Sequence, residues 1–176
     1  IMVFHAGGDT NLAEASFVLG QSDWTSNGAY GGGAFVAAAN NFNGITDIEL
    51  DTTNDRLFVA DVNSARILVF DVSNLSSNLN AEYVLGQGDL NSVGVGVAAA
   101  NNFGFPTSLT YDETNGRLFV GDGTWNRVLV FDVDGLDTNN IDADNVLGQV
   151  DMTTTGFTTT AQNKINIPIG LEYDSG

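Results

Sequence analysis

The side chains in this sequence best able to do chemistry are carboxylates. Asp and Glu number 22 against 5 Lys and Arg, for a formal net charge of −17. Cysteine is absent, which excludes a disulfide framework, a thiolate zinc site and a cysteine nucleophile. His5 is the one histidine, and no GxSxG motif offers a serine nucleophile. Acids at fixed spacing leave two chemistries, gripping a divalent cation or accepting backbone N–H groups in tight turns. The negative charge repels phosphate backbones and anionic lipid, so the expected partners include neither nucleic acid nor membrane. It suits solubility in a salty or extracellular medium.

The acids recur at matching positions. Asp51, Asp112 and Asp174 close three related apolar runs, and Asp61 and Asp122 close the runs that follow the first two. All four arginines, Arg56, Arg66, Arg117 and Arg127, occupy equivalent places, which leaves Lys164 as the one base outside the pattern. A catalytic group is needed once, whereas a structural group is needed in every copy. Asp51, Asp61, Asp112 and Asp122 are therefore expected to bond the turns that follow them, and all four arginines, Arg56, Arg66, Arg117 and Arg127, to pair with neighbouring aspartates between or within repeats. A further set reads Gly-Gln-x-Asp, with Gln21, Gln87 and Gln149 at its centre. One amide and one carboxylate per copy fall short of the about six to eight oxygens that calcium takes, so these too are expected to hold backbone groups.

The elements that position these residues are repeats. "FVLGQSD" at 17–23 returns as "YVLGQGD" at 83–89 and "NVLGQVD" at 145–151, shifts of 66 from Gly20 to Gly86 and 62 from Gly86 to Gly148. "AAANNF" at 37–42 returns at 98–103, and "FPTSLTYD" at 105–112 returns as "IPIGLEYD" at 167–174. Each repeat reads as four short strands. The first are placed at 45–51, 107–112 and 169–174, the second at 56–61 and 117–122, and the third at 66–71 and 127–132. The fourth ends in "VLG". Val, Ile, Leu, Phe and Tyr fill these runs with no sustained helical period, and Asn-containing turns divide them. Between repeats lie long linkers, residues 22–44, 88–105 and 150–167, of the length that functional or compact surface loops have. Trp24, Tyr30 and Phe35 lie in or near an insertion in the first linker and are the expected contact residues. Phe42, Phe103 and Ile165 share a column just before the first strand and read as plugs between repeats. No run approaches the ~18–20 apolar residues of a membrane span, and residues 1–11 show no signal-peptide pattern.

"RLFVADVNSAR" and "RLFVGDGTWNR", the latter preceded by "PTSLTYD", resemble the NHL-type β-propeller repeat, in a bacterial variety with a "VLGQ" outer strand. Asp47 and Ser108 stand where that family usually has glycine, and only Gly170 keeps it. The resemblance implies an all-β fold of four-stranded antiparallel blades, with residues 1–176 forming one segment of about three repeats from a propeller of about six blades. Partial blades are expected at both ends, so the remaining blades of the same polypeptide, or a second copy, would be partners. The resemblance further implies that first strands line a central channel, where related hydrolases hold calcium. Glu49 and Glu172 share one column with Thr110, so Glu49, Glu172 and Asp47 are the candidate calcium ligands, against solvated acids at a channel mouth. The expected function is a non-catalytic binding or scaffolding module, without cofactor, of a secreted or cell-surface prokaryotic protein that meets a protein or glycan through its linkers. The alternatives are a propeller hydrolase or lyase with an axial metal, and a repeat component of an extracellular assembly. His5 replaces the aspartate of Asp71 and Asp132 and reads as an edge substitution at a turn.

Overall fold

The computed structural model describes residues 1–4, 14–32, 36–156 and 161–174. The chain is all-β with two four-stranded antiparallel sheets. One sheet holds β3 (Ile45–Asp51), β4 (Arg56–Asp61), β5 (Arg66–Asp71) and β6 (Tyr83–Leu85) in sequence order. The other holds β7 (Pro106–Asp112), β8 (Arg117–Asp122), β9 (Arg127–Asp132) and β10 (Asn145–Leu147) in the same order. A two-stranded ribbon, β1 (Met2–Val3) with β2 (Phe17–Val18), precedes them. The only helical elements among the described residues are short 3-10 turns at Ala29–Gly32 and Val62–Ser64.

The two sheets are copies down to register. Phe58 faces Val69 and Phe119 faces Val130 across matching strand pairs, and both first strands are irregular at the same place, Ile45/Asp47 and Pro106/Ser108. The middle strands are buried on both faces, which is why they read as nearly continuous apolar runs rather than an alternation. From the first sheet, Phe58, Ala60, Ile67, Val69 and Leu85 pack against the second sheet, while Leu57, Val59, Leu68 and Phe70 pack the opposite way. Gly20 and Gly86 end the outer strands at φ of 83° and 89°, and a Cβ at either would enter the ring of Phe42 or Phe103. The glycine of "VLGQ" therefore serves both a left-handed turn and the close approach of the plugging ring.

The third expected first strand differs. Residues 169–174 form no strand pairing, although they lie beside β7, with Tyr173 donating its backbone N–H to Thr110 Oγ1 at 3.0 Å. A first strand is held edge-on by a second strand, and none follows this segment among the described residues.

Each complete sheet is tied to its linkers by a fully buried ion pair. Arg66 Nε donates to Asp61 at 2.9 Å, and Arg127 Nε donates to Asp122 at 3.3 Å. The remaining guanidinium N–H groups reach linker carbonyls. Arg66 donates to Leu90 at 2.7 Å and Asn41 at 2.9 Å, and Arg127 donates to Asn102 at 2.8 Å, Ala99 at 3.1 Å and Met152. Asp61 in turn accepts the Asn43 backbone N–H at 2.7 Å, and Asp122 accepts that of Phe105 at 3.0 Å, so these two acids bond the linker before their sheet and not, as expected, the turn after their strand. Arg56 departs from carboxylate pairing and donates to the carbonyls of Val133 at 2.6 Å and Leu136 at 3.1 Å in the neighbouring repeat. Removing one partner of a buried pair strands the other charge without solvent. Asp61→Ala is expected to lower unfolding free energy by about 3–5 kcal/mol, measured by urea denaturation. The exposed Asp71→Ala change should shift the same curve far less.

Candidate functional site

Two polar systems recur between repeats, a seam along the first strands and a pin inside each linker. At the seam, one repeat's side chains bond the next repeat's backbone. Thr46 Oγ1 donates to Pro106 O at 2.9 Å, Asp47 accepts the Leu109 N–H at 2.8 Å, and Glu49 accepts the Tyr111 N–H at 3.2 Å. The following seam repeats the scheme with Thr107 donating to Pro168 O and Thr110 accepting from Tyr173. A ring pair recurs at each seam: Phe58 lies tilted by 40° against Tyr111 at 5.7 Å between centroids, and Phe119 stacks on Tyr173 at 5.9 Å.

The turn acids join the same system. Asp51 accepts the backbone N–H groups of Thr53 and Asn54, both at 3.0 Å, and Asp112 accepts those of Thr114 at 3.1 Å and Asn115 at 3.2 Å. Burial, then a hydrogen bond to the Asp51 carboxylate, raises the Tyr111 hydroxyl well above its ordinary pKa. The Tyr173 hydroxyl is raised in turn, first by its bond to Asp112. Burial also raises the Glu49 carboxyl above its ordinary 4.5, and the charges of Asp47 and Glu172 add to the effect. Glu49 thus feels both neighbouring acids, but it and Asp47 already accept backbone N–H groups across the seam. Glu172 is exposed. Among the described residues, no group of three or more acids or histidines is arranged to hold a metal ion. Thr46 and Thr107 match in two copies, with Ile169 in the third, and a lone threonine in a strand announces β-propensity before it announces a seam.

In the linkers, the Gln side chain spans a seven-residue loop. Gln21 Nε2 donates to Gly28 O at 3.1 Å, Gln87 to Gly94 O at 2.8 Å and Gln149 to Gly156 O at 3.1 Å. Gln87 also donates to Ala65 O, and Gln149 to Asn126 O, both at 3.0 Å, which fastens the loop to the turn between second and third strands. Within the loop the aspartate folds the chain over itself. Asp151 accepts the backbone N–H and the hydroxyl of both Thr153 and Thr154, bonds that hold its carboxyl down at about 2. Asp23 does the same with Thr25 and Ser26.

Between anchors the loops differ. Trp24 is exposed beside Met2, Phe4 and Ala15. Val93, Val95 and Val97 are exposed in and after the second loop. Tyr30 is half-buried, and its hydroxyl meets Ser64 Oγ and Asn43 Nδ2, each at 3.2 Å, inside the fold. Phe35 and His5 lie outside the described residues. In comparisons with known proteins, no family model and no curated protein matches the chain.

The seam makes a pH prediction. A carboxyl raised in the fold ionises at greater cost there than in the unfolded chain, so its contribution to stability falls as pH rises through 4.5 and the raised value above it. Glutamine keeps an acceptor for Tyr111 and removes the charge. Glu49→Gln is expected to melt at a higher temperature than wild type at pH 7, with the gap closing below pH 4.5. Melts across the pH range check both the sign and the window.

Proposed function

We propose that the chain is a segment of an NHL-like β-propeller and acts as a non-catalytic binding or scaffolding module of a secreted or cell-surface prokaryotic protein. The observation that carries this reading is the linker design. Glutamine, aspartate and arginine anchors hold the same loop frame in successive repeats, while the exposed residues between anchors change from Asn27 to Val93 to Thr155. A fixed frame with changing tips is how scaffolds present recognition residues. The repeated four-stranded unit, its first strand beside that of the next repeat, supports the propeller reading. No helix among the described residues is long and apolar enough to cross a membrane.

The competing reading is a hydrolase that holds calcium among Glu49, Asp47 and Glu172, and one set of measurements separates the two. Arrays of extracellular proteins and glycans are probed with wild type, Trp24→Ala and Val97→Asp. Binding that the loop variants lose, with unchanged melting curves, is the expected outcome. Wild type is also melted with calcium and with chelator. Ester or lactone turnover that requires calcium and disappears in Glu172→Gln would overturn the binding reading.

A further inference from the structure

The glycine that receives each linker pin recurs as Gly28, Gly94 and Gly156, seven residues after its glutamine. The residue just before it is exposed in all three copies and reads Asn27, Val93 and Thr155. Of the three linkers, the first alone sets an asparagine against the frame glycine. Asn-Gly is the dipeptide best able to rearrange by itself. The glycine nitrogen lies within reach of the asparagine side-chain carbonyl carbon, and no Cβ obstructs its approach.

Two other Asn-Gly pairs occur, Asn43-Gly44 and Asn115-Gly116, and the fold holds both. Asn43 donates its backbone N–H to Asp61 at 2.7 Å and its side-chain amide to Tyr30 Oη at 3.2 Å. Asn115 donates its backbone N–H to Asp112 at 3.2 Å and its side-chain amide to the other oxygen of that carboxylate at 2.6 Å. Their glycines are hemmed in as well, since a Cβ on Gly44 or Gly116 would meet Asn63 or Asp134 at 2.6 Å. Closing a ring at either site must break these bonds and shift packed backbone. Asn27 is free of such restraint. The Asp23 turn ends one residue short of it, at the Ser26 N–H, and the Asn27 side-chain amide has no partner among the described residues.

We propose that Asn27 is a self-modification site, at which the first linker converts asparagine to isoaspartate and releases its own pin. The Gly28 backbone nitrogen attacks Asn27 Cγ. The N–Cγ bond forms, the Cγ–Nδ2 bond breaks, and the glycine N–H proton leaves with the amide nitrogen as ammonia. Water then opens the cyclic imide. Opening at Cγ gives aspartate, and opening at the main-chain carbonyl gives isoaspartate, whose chain runs through Cβ and Cγ. Isoaspartate adds one methylene to the backbone immediately ahead of Gly28, whose carbonyl accepts from Gln21 Nε2 at 3.1 Å. It also brings a second carboxylate into the loop that Asp23 folds. Both changes work against the closed frame. The reaction belongs to the chain's own backbone and stands whether or not the linkers bind a partner.

The test is to incubate the full chain at mildly alkaline pH, folded and in urea, and to follow each asparagine by peptide mapping with mass spectrometry and isoaspartyl methyltransferase labelling. In the folded chain Asn27 is expected to convert several-fold faster than Asn43 or Asn115, and in urea the three rates should converge. Hydrogen exchange in the converted chain should rise across residues 21–28 and stay unchanged across 87–94. Asn27→Thr, which installs the residue of the third linker, should abolish both the labelling in that peptide and the rise in exchange. Equal conversion of the three asparagines in the folded chain would overturn the proposal. So would a lead at Asn27 that survives undiminished in urea, because local sequence and not the fold would then set it. Conversion that leaves exchange across 21–28 unaltered would overturn the release of the pin.

Discussion

A buried guanidinium is the constraint on which each repeat depends. Arg66 and Arg127 lie at the start of a third strand with no solvent around their charge, and a single carboxylate cannot satisfy five N–H groups. The rest must find carbonyls, and those carbonyls belong to the linkers on both sides, Asn41 and Leu90 for Arg66, Asn102 and Met152 for Arg127. The ion pair thereby fixes the path of linkers of 18 residues or more that have almost no secondary structure of their own. Linker shape is thus set from the sheet outward. The planar fork of arginine suits this task, while a lysine ammonium would reach fewer acceptors in fewer directions.

The seam follows a second logic. First strands lie at the edge of their sheets, and an edge strand carries unpaired N–H and C=O groups. The next repeat does not extend the sheet, so side chains take the place of the absent strand. Asp47, Glu49 and Thr110 accept those N–H groups, and Thr46 and Thr107 donate to the carbonyls. Carboxylates do this at a cost visible at Glu49, whose charge is pressed by burial and by Asp47 and Glu172. Thr110 performs the same service without charge, which shows that the position requires an acceptor and not an acid.

Strand positions and antiparallel pairing were legible because apolar runs, Asn turns and the terminal aspartates recur together in the sequence. Phe58 and Phe119 sit in strands whose ends were placed to within a residue. The third first strand was not, because residues 169–174 look like β7 locally and lack only the neighbour that would make them a strand. The same limit applies to the seam. Glu49, Thr110 and Glu172 were visible as one column, but their chemical variety concealed a shared hydrogen-bonding role that depends on backbone from another repeat. Arg56 was misread for the same reason, since its acceptors, Val133 and Leu136, lie almost eighty residues away and are backbone carbonyls that no side-chain pattern reveals.

The first linker shows how such a frame absorbs change. It spans residues 22–44, five more than the 18 of each later linker. Lengthening a flexible loop in that proportion costs only about 0.2 kcal/mol in closure entropy, so length itself is little obstacle. What an insertion must do is satisfy its own backbone. Here Tyr30 adopts a left-handed φ of 52°, donates its N–H to Phe42 O at 2.7 Å and sets its hydroxyl between Ser64 and Asn43. The added residues are thereby pinned to the plugging Phe42 and to the turn after β4, both already held by the buried Arg66–Asp61 system through Asn41 and Asn43. This insertion rests on neighbours that the Arg66–Asp61 pair already holds, and β3 to β6 keep the same order and pairing as β7 to β10 without it.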